Sequence, residues 1–231
     1  PKLDGRAVAP PAAARELLLA AALASDAQLT FTPAEGWRVR GDPTEGALLV
    51  AARKAGIDDK AALERRFPRI DEVPFTSESK RMTTLHRTAG GTVAYVKGAP
   101  EVVLPACARV AAGAGARDLE ADERERLGEV IEAMAHGALR VLAVARKEVD
   151  RAAAADRGLT LLGLVGMIDP PRPGVKAAVQ RCAEAGVKVV MITGDHPITA
   201  RAIATELGLT DGQVVTGAEL AALSDAELER R

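Results

Sequence analysis

The feature that most constrains the fold is an alternation of apolar strands and helices in the last third of the chain. Residues 159–168 are almost continuously apolar, and residues 187–193 form a second apolar run. Residues 173–185 and 197–207 have helical character. Strands that are apolar on both faces are typical of a parallel sheet covered by helices on both sides. The pattern therefore predicts part of a doubly wound parallel sheet.

The beginning of the chain follows a different pattern. Residues 12–27 are rich in Ala and Leu and predict a helix, and residues 37–40 predict a short strand. A second helix is expected to begin after Asp42, with Asp42 as the N-cap, Pro43 at the first position and Glu45 closing a capping box. A capping box fully accounts for an acidic residue at position 45.

The middle of the chain mixes strands and helices. Residues 70–96 are rich in Val and Thr and contain a Gly-Gly turn, which predicts antiparallel strands. Residues 123–138 predict a helix, residues 140–146 a strand, and the Ala- and Gly-rich residues 111–116 a loop. We therefore predict an α/β chain: an α+β domain with an antiparallel sheet over residues 1–158, then part of a parallel sheet over residues 159–231.

Composition excludes several classes of function. Apolar residues make up 48% of the chain and charged residues 27%, as in ordinary soluble domains. Lys and Arg number 31 against 32 Asp and Glu and are scattered, so nucleic acid is not an expected partner. The two cysteines, Cys107 and Cys182, suit a reducing compartment. No apolar stretch reaches the ~20 residues that span a bilayer. Both ends look like cuts from a longer polypeptide.

The predicted parallel strands bring a group of polar residues to one edge. Ligands of open α/β sheets bind outside the carboxyl ends of the strands, where Asp169 and the run Thr193, Gly194 and Asp195 should lie. Gly194 would let a bound group approach the backbone, and the next helix would offer its N-H groups to a phosphate. Taken singly, Asp195 as a helix cap and Asp169 as a turn residue remain equally good interpretations.

Other residues suggest contacts with a nucleotide, each with a simpler alternative. Phe75 precedes a polar run in a chain with only three Phe and would be placed to stack on a base, or it is a core residue at a strand end. Lys80 and Lys97 would offer positive charge to phosphates, or they are solvated surface residues. Arg140 opens an apolar strand and suggests an anionic partner, with a solvated strand end as the alternative.

The sequence lacks the motifs of several common kinds of active site. The sequence contains no Gly-x-x-x-x-Gly-Lys-Ser/Thr loop, no Gly-x-Ser-x-Gly elbow and no Gly-x-Gly-x-x-Gly at a helix start. Its three histidines and two cysteines show no metal-ligand spacing, so no metal site is expected.

Six stretches in order along the chain resemble the type II P-type ATPases, the family of the calcium and sodium/potassium pumps. They are Gly-Asp-Pro-Thr-Glu-Gly-Ala-Leu (41–48), Val-Pro-Phe-Thr-Ser-Glu-Ser-Lys-Arg-Met (73–82), Tyr-Val-Lys-Gly-Ala-Pro-Glu (95–101), Leu-Arg-Val-Leu-Ala-Val-Ala (139–145), Gly-Met-Ile-Asp-Pro-Pro-Arg (166–172) and Met-Ile-Thr-Gly-Asp-His (191–196).

The resemblance implies a nucleotide-binding domain inserted into a phosphorylation domain of the haloacid dehalogenase type. Phe75 would stack on adenine, Glu45 would bond near the base, and Lys80, Lys97 and Gly98 would line the pocket. Arg140 would reach the phosphates. The residues implied to lie near the terminal phosphate are Asp169, Thr193, Gly194 and Asp195.

The sequence departs from the family at three places. The Asp-Lys-Thr-Gly-Thr segment with the phosphorylated aspartate is absent, since Asp59-Lys60-Ala61-Ala62 does not match it. The magnesium-holding Gly-Asp-Gly-x-Asn-Asp segment is also missing. Ser77 stands where calcium pumps often have an Arg. We therefore expect the chain to bind ATP without turning it over.

In the intact pump, the resemblance implies that ATP held here, with Mg²⁺, phosphorylates the aspartate and drives cation transport, most similarly to the calcium-transporting branch. The partners would be the actuator and transmembrane parts of the same polypeptide, with this part at the cytoplasmic face of the membrane. Two alternatives remain open on the sequence: a haloacid dehalogenase-like phosphatase, and a non-catalytic adenine-nucleotide-binding or interaction module.

Overall fold

The structure is a computed structural model that describes residues 2–3, 6–7, 10–113, 115–168, 171–194, 197–210, 212–224 and 227. Its elements in chain order are β1 (Lys2–Leu3), β2 (Arg6–Ala7), α1 (Ala12–Leu23), β3 (Gln28–Thr32), β4 (Gly36–Arg40), α2 (Pro43–Lys54), α3 (Lys60–Arg66), β5 (Arg69–Val73), β6 (Arg81–Thr88), β7 (Gly91–Gly98), α4 (Pro100–Ala106), β8 (Cys107–Ala112), β9 (Gly115–Asp118), α5 (Ala121–His136), β10 (Arg140–Glu148), a 3-10 turn (Ala152–Ala154), β11 (Leu159–Met167), α6 (Val175–Glu184), α7 (Pro197–Leu207) and α8 (Gly217–Ala222).

The mixed α/β class is confirmed. The chain divides into two compact units, of which the first contains Pro1–Gly128 and Val141–Met167 and the second contains Glu129–Arg140 and Ile168–Arg231. The first unit holds a seven-stranded sheet and a separate two-stranded hairpin of β3 and β4.

The seven-stranded sheet has the order β5-β6-β7-β10-β11-β8-β9. β6 pairs antiparallel with both β5 and β7, and β10 pairs antiparallel with β7, as the Val- and Thr-rich middle of the chain predicts. β11 pairs parallel with β8, and β9 returns antiparallel along β8. The sheet is therefore mixed, with β8 and β11 forming a parallel pair near one edge.

β11 is a strand, as expected, but it belongs to this sheet and does not open a separate parallel sheet. Its apolar character on both faces has a local cause. Leu162 and Val165 pack against one hydrophobic core of the unit, and Leu159 and Leu161 are buried in a second core. A strand between two cores needs apolar residues at every position, whichever direction its neighbours run.

The two cores lie on elements that also carry the candidate site. The first core combines Leu23 of α1 and Leu48 of α2 with Val144 of β10. Three alanines and Leu23 at the end of α1 are fully buried, and α1 contacts both α2 and β7. Small side chains let helices approach closely, so α1 ends tightly packed between α2 and the sheet.

Several segments of the first unit differ from the sequence prediction, among them the helices α3 and α4, which were not predicted. β3 was not predicted, although Leu29 and Phe31 alternate with polar residues, and it pairs in register with β4. The Ala-rich residues 111–116 were predicted as a loop, but they enter β8 and β9 on either side of a turn at Gly113. Alanine favours strands weakly, and here the antiparallel pairing of β8 with β9 overrides that preference.

The second unit contains α6, α7 and α8. The helices predicted over residues 173–185 and 197–207 are present as α6 and α7. The strand predicted over residues 187–193 is absent: these described residues do not form a strand, and Val187, Val190 and Ile192 are 56%, 70% and 92% exposed. An extended segment becomes a strand only when a neighbouring strand accepts its hydrogen bonds.

Within the described part of the chain, each helix is too short or too polar to cross a lipid bilayer.

Candidate functional site

The candidate site centres on a buried ion pair between Glu45 and Lys97. Glu45 lies in the first turn of α2, and Lys97 lies near the end of β7, opposite Met82 of β6. Lys97 Nζ is 2.6 Å from Glu45 Oε1, and the two side chains are only 8% and 13% exposed. Lys97 Nζ also donates to the carbonyl oxygen of Ala24 and lies 3.3 Å from Met82 Sδ. The three ammonium hydrogens therefore have three partners within the protein.

The second oxygen of Glu45 binds the backbone. Glu45 Oε2 accepts hydrogen bonds from the amides of Asp26 and Ala27, at 2.7 and 2.8 Å. The N-cap prediction for Asp42 is confirmed, because its side chain accepts from the Glu45 amide at 3.1 Å. The expectation that Glu45 closes a capping box is wrong: its carboxylate turns towards the residues after α1, where two unpaired amides and an ammonium group offer stronger bonds.

Residues 22–27, which we call the α1 terminus, are held by three cationic side chains. Lys60 Nζ donates to the carbonyl oxygens of Ala22, at 3.1 Å, and Ser25. Arg69 Nη2 donates to Ser25 O at 2.8 Å and to Leu23 O at 3.2 Å. Together with Lys97, these side chains satisfy carbonyl groups that a helix leaves without partners at its C-terminus, and their charge complements the helix dipole.

The cations of the α1 terminus come from separate elements. Lys60 begins α3 and Arg69 begins β5, where it also pairs with Asp26 at 2.6 Å and Glu72 at 2.7 Å. Burial, together with the nearby charge of Arg69, lowers the pKa of Lys60 to about 8, and Glu64 partly opposes this shift. The contacts of Lys60 and Arg69 with the α1 terminus could not be predicted from the sequence, because they join residues 35 or more positions apart.

Lys80 and Gly98 lie side by side at the start of β6 and the end of β7. Lys80 has a φ of 48°, and its carbonyl oxygen accepts from the Ala99 amide at 3.0 Å. A Cβ atom on Gly98 would lie 2.5 Å from that same oxygen, so only glycine fits at position 98. Lys80 Nζ pairs with Glu101 at 3.3 Å, and both side chains are about half exposed.

Phe75 lies on the loop that leads into β6, with 58% of the residue exposed. The loop is ordered by its own side chains: the hydroxyls of Thr76 and Ser79 are 2.9 Å apart, and the Ser79 amide donates to Thr76 Oγ1 at 3.0 Å. The alternative that Phe75 is a core residue does not fit this exposure. Its ring offers apolar surface to a planar ligand.

The structure thus brings part of the predicted site together. Glu45 and Lys97 are in contact, Gly98 follows Lys97, and Lys80 packs against Gly98. Phe75 lies on the loop that leads into the start of β6, the next element in the chain after this loop. Solvated surface positions were the alternative for both lysines, and this holds for the Lys80 side chain but not for Lys97.

The remaining predicted residues belong to the second unit. Arg140 is exposed at the first position of β10, and Thr193 and Gly194 are exposed after α6. Asp169 and Asp195 lie outside the described residues. Their predicted closeness to a terminal phosphate stays a prediction.

A separate cavity of about 390 Å³ opens between α2, α3 and the β3–β4 hairpin. Its wall includes Phe31, Trp37, Arg53 and Lys60, with the Arg53 guanidinium 5.0 Å from the Trp37 ring centre. It contains none of the predicted site residues. Among the described residues, no three carboxylate, imidazole or thiol groups converge as metal ligands.

The chain is similar in sequence to known proteins. Residues 13–174 match the family model described as "P-type ATPase, cytoplasmic domain N". The chain is 44% identical over 227 residues to the cation-transporting ATPase pma1 of Synechocystis, covering 94% of this chain and 24% of that protein. It is 39% identical over 222 residues to a calcium-transporting ATPase of Bacillus subtilis, covering 93% and 25%.

A plant protein is also similar in sequence to this chain. The plasma membrane-type calcium-transporting ATPase 7 of Oryza sativa is 42% identical over 205 residues, which cover 82% of this chain and 20% of that protein. The chain therefore spans about a quarter or less of the length of these relatives.

Proposed function

The chain belongs to the P-type ATPase family and contains its cytoplasmic domain N, and from that membership we propose that its first unit binds ATP. The adenine ring would stack on Phe75, and the charges of Lys80 and Lys97 would attract the phosphates. Gly98 would let the chain turn beside Lys80 without closing the pocket. Base stacking on an aromatic ring typically contributes ~1–3 kcal/mol.

The observation that carries this proposal is the exposure of Phe75 on the loop that leads to Lys80. A ring that is 58% exposed at the end of an ordered loop leaves apolar surface in water. A planar base would cover that surface, and Lys80, about half exposed at the end of the same loop, would meet a phosphate group at little cost in desolvation.

For the intact protein, we propose that ATP held here phosphorylates an aspartate in a segment that this sequence does not contain. An oxygen of the aspartate would attack the terminal phosphorus, and the bond from that phosphorus to ADP would break. Arg140, Asp169, Thr193, Gly194 and Asp195 would lie near the phosphates in that step. The cycle would drive cation transport, with calcium as the cation, and this part would lie at the cytoplasmic face of the membrane.

Magnesium enters this proposal only as the ion that accompanies ATP. The described residues offer no cluster of ligands for it, and no step is assigned to a metal held by this chain.

The test is a titration of the 231-residue protein with ATP, with and without magnesium, followed by amide chemical shifts and calorimetry. We expect saturable binding, even at a weak ~mM level worth about 4 kcal/mol. Phe75→Ala and Lys97→Ala should each weaken it. Phe31→Ala is the matched control, because Phe31 is also 58% exposed but lies on β3, outside the proposed pocket.

A folded wild type that does not bind ATP would refute the proposal. Equal loss in Phe75→Ala and Phe31→Ala would show that binding depends on general changes at the surface and not on this pocket.

A further inference from the structure

The cavity between α2, α3 and the β3–β4 hairpin, which we call the hairpin cavity, is a second concave site. Its volume of about 390 Å³ falls in the range of small-molecule sites. The hairpin forms one wall and packs closely on α2, because Gly46 leaves room for Val39. A Cβ atom at position 46 would lie 2.4 Å from Val39 Cγ1. Close packing therefore fixes the hairpin wall.

Two aromatic rings of the hairpin lie on this wall. Phe31 and Trp37 are cross-strand partners, with ring centres 5.2 Å apart, and both line the cavity. More than half of each residue is exposed, so the rings leave apolar surface in contact with water. A ligand with an apolar body would cover that surface.

The guanidinium group of Arg53 indicates which charge the Trp37 ring attracts. Its central carbon lies over this ring, 5.0 Å from the ring centre. The face of an indole ring carries negative charge density and stabilises a cation placed over it. Arg53 is exposed at the surface of α2, so a cation from solution can compete with it for the ring.

Carboxylates outnumber cations on the cavity wall. Three carboxylates line it, those of Asp58, Asp59 and Glu64, and all three residues are exposed. The cations that line it are Arg53 and Lys60. The wall therefore favours a positively charged ligand over a negatively charged one.

The charge of Lys60 is directed into the protein. Its ammonium group donates to two carbonyl oxygens of the α1 terminus, and its side chain is only 9% exposed. The remaining cation on the wall, Arg53, lies over Trp37. Neither group is thus placed to counter the carboxylates fully.

From the aromatic pair, the guanidinium over Trp37 and the surplus of carboxylates, we propose that the hairpin cavity binds a small organic cation: an ammonium group carried on an apolar body. The apolar body would cover the Phe31 ring. The ammonium group would lie over the Trp37 ring, on the side of the carboxylates. This binding requires no nucleotide, so the proposal goes beyond ATP binding and does not depend on it.

The test uses the fluorescence of Trp37, which is the only tryptophan of the chain. The 231-residue protein is titrated with phenethylammonium, and phenethyl alcohol and hydrocinnamate serve as neutral and anionic probes of similar shape. We expect a saturable change in emission with the ammonium probe. The other two probes should bind at least about threefold more weakly, because they lack the attraction between a cation and the ring.

Two substitutions should change the affinity in opposite directions. Glu64→Gln removes a carboxylate of the wall and should weaken phenethylammonium by about two- to threefold. Arg53→Gln removes the competing guanidinium and should strengthen it by a similar factor. Glu123→Gln is the matched control, because it removes a carboxylate that pairs with Arg117 outside the cavity, and it should leave the affinity unchanged.

Three outcomes would overturn the proposal. Equal affinities for the three probes would show that the rings are a nonspecific apolar surface. Tighter binding of hydrocinnamate would show that the cations of the wall, and not its carboxylates, select the ligand. A folded wild type that gives no change in emission and no heat in calorimetry with phenethylammonium would show that the cavity binds no such cation. ATP binding has its own titration and its own variants, so each of these outcomes leaves it unaffected.

Discussion

At the scale of single residues, burial fixes the charge of His86. Its ring is 1% exposed, with Nδ1 2.9 Å from the Phe67 carbonyl oxygen and Nε2 3.0 Å from Thr84 Oγ1. The carbonyl can only accept, so Nδ1 carries the hydrogen and Nε2 accepts from the Thr84 hydroxyl. Burial lowers the pKa of His86 from 6.5 to about 4; the bond to Phe67 partly opposes this shift, and the nearby charges of Arg69 and Lys60 contribute to it.

The lowered pKa predicts a loss of stability in mild acid. Because the folded state holds His86 neutral, its contribution is complete above the unfolded pKa of 6.5 and is lost as pH falls from there towards about 4. Between about pH 7 and about pH 5.5 the free energy of unfolding should drop by roughly 1 kcal/mol from this group. Urea unfolding at both pH values measures this difference in the free energy of unfolding, and the difference should be smaller in His86→Asn.

The imidazole proton shifts of His86 offer an independent check. They should show no titration between about pH 7 and about pH 5.5, since the folded-state pKa lies below that window. A midpoint near 6.5 would contradict the burial argument.

Glu45 shows why residue roles are harder to predict than residue positions. The pattern Asp-Pro-Thr-Glu placed the start of α2 correctly, because a helix N-terminus is a local event. The partners of the Glu45 side chain lie 18 to 52 residues away in the chain, on the α1 terminus and β7. Local spacing carries no information on contacts that only the folded sheet creates.

At the scale of elements, the segment 187–193 is apolar but does not form a strand. Val190 and Ile192 are 70% and 92% exposed, and Val187 is 56% exposed. Contiguous apolar side chains exposed to water promote association between copies. We expect the protein to self-associate as its concentration rises.

Substitutions in this segment test that expectation. Val190→Ser and Ile192→Ser should reduce association in sedimentation velocity without lowering the free energy of unfolding, because both side chains give up little burial. Val215→Ser, which changes a 36% exposed residue outside the segment, is the control. A monomer at all concentrations, with slow amide exchange across residues 187–193, would contradict this prediction.

Most elements of the fold could be predicted from the sequence, but their neighbours in the sheet could not. The helices α1, α2, α5, α6 and α7 and the strands β6, β7, β10 and β11 follow from local periodicity. The position of β11 in the sheet could not be predicted from periodicity. A strand buried between two cores and a strand of a doubly wound sheet have the same apolar pattern. The β8–β9 hairpin was missed because its residues 111–116 are rich in Ala and Gly, which favour strands weakly.

At the scale of the whole molecule, we expect ATP binding to occur without ATP hydrolysis. The sequence contains no Asp-Lys-Thr-Gly-Thr segment, so it offers no aspartate of that kind to receive the phosphoryl group. We expect the protein to bind ATP and leave it intact. Phosphate release measured over hours with magnesium present should match a protein-free control, whereas release that falls in Phe75→Ala would show catalysis at the proposed pocket.

The strand order of the seven-stranded sheet also sets the order in which it closes during synthesis. β5, β6 and β7 are neighbours in both sequence and sheet, so they can pair once Gly98 has left the ribosome. The β8–β9 hairpin is made next, but its place lies beyond β11, which is complete only at Met167. Until then the hairpin has no sheet to join. It is therefore the part of the first unit that a ribosome-bound chaperone would have to shield.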